Sequence, residues 1–283
     1  MLTEGQVVVH ECLGDEDQRL RRLVLKGPIA QTAQAGQFIA IQVQDSRVSS
    51  FDPLLRRPIS IAEISADRDE ITLLYRIQGR GTEILATARC GDRLSMMGPL
   101  GKGFSLPKEG ELWLVAGGIG IFPLYALAQS ALAQGLTVRL FWGGETQTFL
   151  ESAGLSRWQA LGIPLHLSTL DGSLGQKGLV TEAVQALLSQ LNEQTKHAES
   201  SNLGQINVAT CGPARMMQAV TKLCLEFQVP VEVSLEERMG CAVGACLGCV
   251  CTLIDDKGTQ IHKKVCLDGP VFRGEEVVWD VSC

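Results

Sequence analysis

The chain has 283 residues, enough for two or three domains at about 150 residues each. Hydrophobic residues make up 45% and charged residues 20%, the balance of a protein with a real core, and a net charge of −6 argues against a nucleic-acid binder. No run nears the ~18 consecutive apolar residues of a membrane span, and MLTEGQVVVHECLG lacks the basic start and apolar stretch of a secretory signal, so the expected compartment is the cytoplasm.

In chain order, the first region, 1–106, holds short β-rich runs: QVVVHECLG, LRRLVLKG, QFIAIQVQD, ISIAEIS, EITLLYRIQ and DRLSMMGPLG. Gly, Asp and Pro punctuate them, which predicts an antiparallel barrel or sandwich. Within it, LLRRPISI starts a strand, and Leu74, Tyr75 and Arg76 precede Gly79, Gly81 and Thr82, which open a helical-looking EILATA. These residue types suit a flavin dinucleotide. Arg57 would pair with a pyrophosphate, Ser60 would hydrogen-bond the flavin, and Gly81-Thr82 would offer amides to phosphate. A solvated Arg-Arg pair and an ordinary glycine turn is the plainer alternative.

The second region, 107–230, changes period. ELWLVAGG, TVRLFWGG, LHLSTLDG and INVATCGP read as strands; FPLYALAQSALAQG, LVTEAVQALLSQL and ARMMQAVTKLCLEF read as helices. This alternation predicts a parallel sheet covered on both faces. The polar stretch 192–205 reads as an exposed loop. LVAGGIGIFPLYAL is a strand, glycine turn and helix, a weak nucleotide signal on its own because it departs from G-x-G-x-x-G. Cys211, Gly212 and Pro213 end a later strand, where open α/β sheets bind ligands. Asp171 stands where a 2′-phosphate would want a cation, which favours NADH over NADPH. Cys211 has two readings: a neighbour of the nicotinamide, or a small buried residue.

The third region, 231–283, concentrates cysteine. The chain has 10 cysteines, and in a cytosolic protein of this size they point to metal or redox chemistry rather than disulfides. Cys241, Cys246 and Cys249 form C-x4-C-x2-C, and Cys266 follows after sixteen residues. That is the plant-type [2Fe–2S] spacing. Gly240, Gly244 and Gly248, with Ala242 and Ala245, supply permissive backbone for a tight loop whose amides face the sulfurs. KKVCLDGPVF is expected to bring Cys266 on a strand. A structural zinc, which prefers a second C-x2-C pair, a redox C-x-x-C, and buried free thiols are the competing readings. Cys251 alternates with Cys249 and so is not expected to be a ligand. A one-electron cluster fed by a hydride donor needs a two-to-one electron switch between them, which is flavin chemistry.

The ordered set R-P-I-S, L-Y-R…G-T, G-G-I-G-x-x-P-L, C-G-P and C-x4-C-x2-C…C resembles the electron-transfer subunits of type B dihydroorotate dehydrogenase, within the ferredoxin–NADP reductase superfamily, over essentially the whole chain. The resemblance implies a multidomain β + α/β fold: an antiparallel flavin-binding β-barrel, a parallel-sheet NAD-binding α/β domain and a small C-terminal [2Fe–2S] domain. Carried over, Arg57, Pro58, Ile59, Ser60, Leu74, Tyr75, Arg76, Gly81 and Thr82 would contact FAD. Cys241, Cys246, Cys249 and Cys266 would hold the cluster. NAD⁺/NADH would be an exchangeable substrate, and no acid–base catalytic residue is required. The implied partner is a flavin-containing TIM barrel that oxidises dihydroorotate to orotate in pyrimidine biosynthesis, in a heterotetramer of two of each. A subunit of another NAD-dependent ferredoxin, sulfide or hydrogenase complex shares the layout, and a zinc-binding interaction module is the non-redox alternative. Where the wider superfamily often has an aromatic residue, Ile59 stands, so any stacking on a flavin must come from elsewhere.

Overall fold

A computed structural model describes residues 1–15, 17, 19–43, 52–195 and 202–279. The chain starts with β1 (Leu2–Cys12) and β2 (Leu20–Lys26), the single turn α1 (Ile29–Thr32), then β3 (Phe38–Ile41), β4 (Arg57–Ile64), β5 (Glu70–Arg76), the short α2 (Arg80–Leu85) and β6 (Arg93–Leu100). The six strands close into an antiparallel barrel in the order β1-β2-β5-β4-β3-β6. Closure leaves no free edge. Alternation fills the barrel: Ile59 and Ile61 of β4 and Leu73 and Tyr75 of β5 point inward with Leu23, Leu25, Ile39 and Ile41.

Arg56 helps to close it. Its guanidinium donates to the Ser95 carbonyl (3.0 Å), Ser95 Oγ (2.9 Å), Gln42 Oε1 (3.2 Å) and the Ala40 carbonyl (3.4 Å). It therefore ties the start of β4 to β3 and to β6 on the far side of β3.

Beyond the barrel come β7 (Glu111–Gly117), α3 (Leu124–Ala133), β8 (Thr137–Gly144), α4 (Gln147–Ser152), α5 (Leu155–Gln159), β9 (Leu165–Thr169), the two-residue β10 (Gln176–Lys177), α6 (Val180–Thr195), β11 (Ile206–Cys211), α7 (Ala214–Glu226) and β12 (Val231–Ser234). Then β13 (Val250–Ile254) and β14 (Gln260–Lys264) form a hairpin, and β15 (Val271–Arg273) follows. The seven-stranded sheet runs β10-β9-β8-β7-β11-β12-β15, parallel except for β15. In β7, Leu112, Leu114 and Ala116 face α3, while Trp113 and Val115 face α6 and α7, so both faces are covered.

Three expectations are corrected. The sheet runs past residue 230: β12 pairs with β11 and β15 pairs with β12, so the last two strands at one end of the sheet come from the cysteine-rich region. The polar stretch 192–205 is not a loop throughout. α6 continues to Thr195 and a 3₁₀ turn spans Asn202–Gln205, because Glu and Gln extend a helix well without apolar contacts; residues 196–201 lie outside the described residues. Cys266 sits in a turn after β14, not on a strand. The Asp268 carboxylate accepts the Lys264 amide (2.9 Å) and bends the chain there.

Candidate functional site

The strand order reverses between β8 and β11 on either side of β7, so the C-terminal ends of β7 and β11 flank a switch point where α/β sheets bind ligands. The two turns there pack backbone on backbone. A Cβ on Gly120 would lie 2.3 Å from the Cys211 carbonyl oxygen, and one on Gly212 would lie 2.9 Å from the Gly117 nitrogen. A cavity of about 470 Å³ opens above them, lined by Gly117, Gly118, Gly143, Gly144, Pro213 and Met216 together with Arg76, Glu145, Leu170 and Arg215. Its size and glycine lining suit a nucleotide. Asp171 is not part of this lining; its carboxylate accepts from the Ser173 amide (2.9 Å) and hydroxyl (2.7 Å), which hold it below the usual carboxylate range. Leu170 and the acidic Glu145 line the cavity instead.

A second cavity, of about 270 Å³, lies between the barrel and the sheet. Pro58, Ile59, Ser60, Leu74, Tyr75, Arg76 and Thr82 line it. Arg57 and Gly81 lie beside one another: a Cβ on Gly81 would collide with the Arg57 guanidinium, so glycine makes the approach possible. Arg57 also donates to the Leu55 carbonyl (2.6 Å). Thr82 closes its own turn, its Oγ accepting from the Gly79 amide (3.2 Å) and donating to the Gly79 carbonyl (2.8 Å). Tyr75 and Ile59 differ from the rest, because their side chains also pack in the barrel core. The Tyr75 hydroxyl is 2.9 Å from His10 Nε2, and His10 Nδ1 is 2.8 Å from the Ala88 carbonyl. A carbonyl only accepts, so Nδ1 carries the proton and Nε2 accepts from Tyr75.

Sequence reasoning missed the opposite wall: Phe38, Phe122, Glu236, Met239 and Pro270. Phe38 and Phe122 supply aromatic surface where Ile59 cannot. Cys211 lines the same cavity and is buried, which with the nearby Glu236 pushes its thiol up to about 12. Burial likewise raises the Glu236 carboxyl. The only sequence signal for this wall was an acidic pair, Glu236-Glu237, between an apolar strand and the cysteine loop.

The cysteine loop adjoins that wall, since Met239 precedes Cys241 and Pro270 follows Cys266. Backbone amides converge on the thiols. Cys241 Sγ accepts from Val243 (3.4 Å), Ala245 (3.2 Å) and Cys246 (3.4 Å). Cys266 Sγ accepts from Gly244 (3.1 Å), and Cys246 Sγ from Cys241 (3.4 Å) and Gly248 (3.5 Å). The amides, Val243 foremost, bring the Cys241 thiol down to about 6. Such donors suit sulfurs carrying negative charge. Cys249 and Cys266 are buried, and burial pushes the Cys266 thiol up to about 12.

The glycines act otherwise than expected. Only Gly244 (φ 81°) needs glycine's conformational freedom, while Ala242 (φ 61°) and Leu247 (φ 58°) turn the loop with side chains attached. Gly240 leaves room for sulfur, since a Cβ there would lie 3.2 Å from Cys246 Sγ, whereas one on Gly248 would make an ordinary contact at 3.5 Å. Cys251 is half-buried, with burial raising its thiol to about 11. Among the described residues no three or more His, Cys, Asp or Glu groups close to the spacing of one bound ion.

Comparison with known proteins agrees. Residues 114–222 match the oxidoreductase NAD-binding domain, and residues 236–278 match the iron-sulfur cluster binding domain of dihydroorotate dehydrogenase B. Among solved structures, the NADH-dependent reduced ferredoxin-NADP oxidoreductase superposes with a TM-score of 0.77 at 26% identity, covering 97% of this chain and 90% of that one. A ferredoxin NADP⁺ reductase from Neisseria gonorrhoeae, at 19% identity and a TM-score of 0.61 over 83% of this chain and 99% of its own, shares the fold. The electron transfer subunit of dihydroorotate dehydrogenase B (NAD⁺) from Bacillus pumilus is 39% identical over 92% of both chains. That from Bacillus cereus is 38% identical over 98% of this chain and 99% of its own. With the cavity between barrel and sheet, the glycine-lined cleft and the amide-lined cysteines in one chain, this protein belongs to the family of dihydroorotate dehydrogenase B electron transfer subunits.

Proposed function

We propose that the chain conducts electrons between a dihydroorotate-oxidising partner subunit and NAD⁺ in pyrimidine biosynthesis, by way of a [2Fe–2S] cluster and FAD. One observation carries this reading: the smaller cavity is walled by all three parts of the chain. Ser60 and Leu74 come from the barrel, Ile119 and Cys211 from the nucleotide sheet, and Met239 and Pro270 from the two ends of the cysteine segment. Bound there, FAD would supply the conversion between a two-electron hydride and single electrons. Arg57 and Arg76 would hold its phosphates, Ser60 and Thr82 would orient it, and Cys241, Cys246, Cys249 and Cys266 would ligate the cluster. The larger cavity would take NAD⁺, and the apolar walls would keep water from the transferring hydride.

The partner is proposed to be a flavin-containing TIM barrel, in a heterotetramer of two of each chain. The exposed side chains around the cysteine loop support a docking face there: Val243 (45% exposed), Leu247 (60%) and Leu267 (51%) stand beside the ligand positions. The cytoplasm is the proposed compartment, supported by the cluster-type cysteine set; among the described residues no helix is long and apolar enough to cross a membrane.

The test is purification with and without the partner, followed by flavin and iron counting. The isolated chain is expected to oxidise NADH with an artificial acceptor and to leave dihydroorotate untouched. Dihydroorotate turnover by the chain alone, or zinc without absorbance beyond about 400 nm, a band that iron–sulfur and flavin centres give, would overturn the reading.

A further inference from the structure

Arg76 ends β5, and among the described residues it is the one that lines both cavities. It is also the barrel's sole contribution to the larger one. Its guanidinium lies over the ring of Phe149, 5.1 Å from the centroid, and its Nε is buried without a hydrogen-bond partner. A buried guanidinium N–H left unpaired costs free energy unless a ligand completes it.

Phe149 reaches that place by construction. Gly144 ends β8, and a Cβ there would lie 2.9 Å from Phe149 Cδ1. Thr146 caps α4, its hydroxyl accepting from the Phe149 amide (3.2 Å). Phe149 is itself buried. The ring is thus fixed on the nucleotide sheet, yet its face supports a cation borne by the barrel.

We infer that Arg76 is a cation shared by the two nucleotides, meeting FAD in one cavity and the pyrophosphate of NAD⁺ in the other, and that Phe149 is the positioning residue that holds it between them. The chemistry is direct: each dinucleotide carries a dianionic pyrophosphate, and guanidinium offers several N–H donors to phosphate oxygens. One cation serving both would set the two nucleotides in register across the boundary between barrel and sheet. The inference rests on the proposed function.

The test uses the full-length chain with Phe149→Leu, Phe149→Tyr and Arg76→Gln. The readouts are FAD retained per chain after gel filtration, the dissociation constant of NAD⁺ by calorimetry, and thermal unfolding. Arg76→Gln should weaken both FAD and NAD⁺, each by about tenfold or more, the loss of one charge-assisted phosphate contact. Phe149→Leu should weaken both by roughly three- to tenfold, the worth of a partly buried cation–π contact, and Phe149→Tyr should restore both. Arg76 is only half-buried, so its variant reports even if Phe149→Leu does not fold. Loss of one nucleotide alone in Arg76→Gln, or a Phe149→Leu protein that loses only thermal stability, overturns the inference. A wild-type chain that takes up neither FAD nor NAD⁺ would instead reject the proposed function.

Discussion

Adjacent residues of one type do different work here. Arg56 and Arg57 look alike in sequence, yet Arg56 donates to both the carbonyl and the hydroxyl of Ser95 while Arg57 lies against Gly81 beside the smaller cavity. Arg56→Ala is expected to destabilise the fold by about 2–3 kcal/mol, since charged hydrogen bonds are lost and their acceptors stranded. Arg57→Ala should lower the flavin retained per chain with a smaller change in the denaturation midpoint of the flavin-free protein. Urea unfolding with flavin counting separates the two. Nothing in the string R-R-P distinguishes them; only the strand register does.

The histidines set the acid response. Burial lowers His10 and His166 below their ordinary value of 6.5, and nearby arginines push the same way. The unfolded chain therefore takes up protons first as pH falls, and stability rises with pH across that window. Stability is expected to be complete above about pH 6.5 and to fall as the pH passes below it. His10→Gln should flatten part of that slope, measured as urea midpoints from pH 7.5 down to about 5.5, a range chosen to bracket the free imidazole.

At the scale of elements, periodicity made most of the fold legible. The six barrel strands and the main sheet strands and helices stand where alternation and helical spacing put them, because long amphipathic runs carry their own burial pattern. β12 and β15 were not placed in the sheet because each is four residues or fewer and takes its place by pairing, β12 with β11 and β15 with β12. The cysteine loop was legible by spacing but not by conformation. Gly244 and Gly258 both have positive φ, 81° and 77°, but a Cβ on Gly244 would lie 3.0 Å from Leu267 whereas Gly258 faces open space. Gly244→Ala is expected to lower cluster occupancy, read as iron per chain. Gly258→Ala, on the distal hairpin turn, should cost about 1–2 kcal/mol of backbone strain and leave iron content unchanged.

At the scale of the whole molecule, the barrel residues that line the smaller cavity lay within short motifs, but the cavity's far wall did not. Phe38, Phe122, Glu236 and Pro270 are scattered over the chain, and their meeting is a product of tertiary packing. Contacts lock that geometry. The Glu63 carboxylate of β4 pairs with Arg157 of α5, and Arg157 also lies 5.0 Å over the Tyr125 ring. Assembly adds a further constraint. Leu247→Asp should weaken association with the partner while sparing iron and flavin content, checked by gel filtration of the mixed chains; intact association would argue that the partner docks elsewhere.

Ser234 and Val271 sit opposite one another in the β12–β15 pair, so everything between them leaves and re-enters the sheet at one point. The cysteine segment is therefore a cassette inserted into a hairpin, rather than a tail appended to the end. Its insertion costs little chain entropy, since closure grows only logarithmically with loop length. It cannot be cut out cleanly, however, because Glu236, Met239 and Pro270 wall the smaller cavity from within the cassette. Joining β12 to β15 by a short turn would keep the sheet but remove that wall and open the smaller cavity to water.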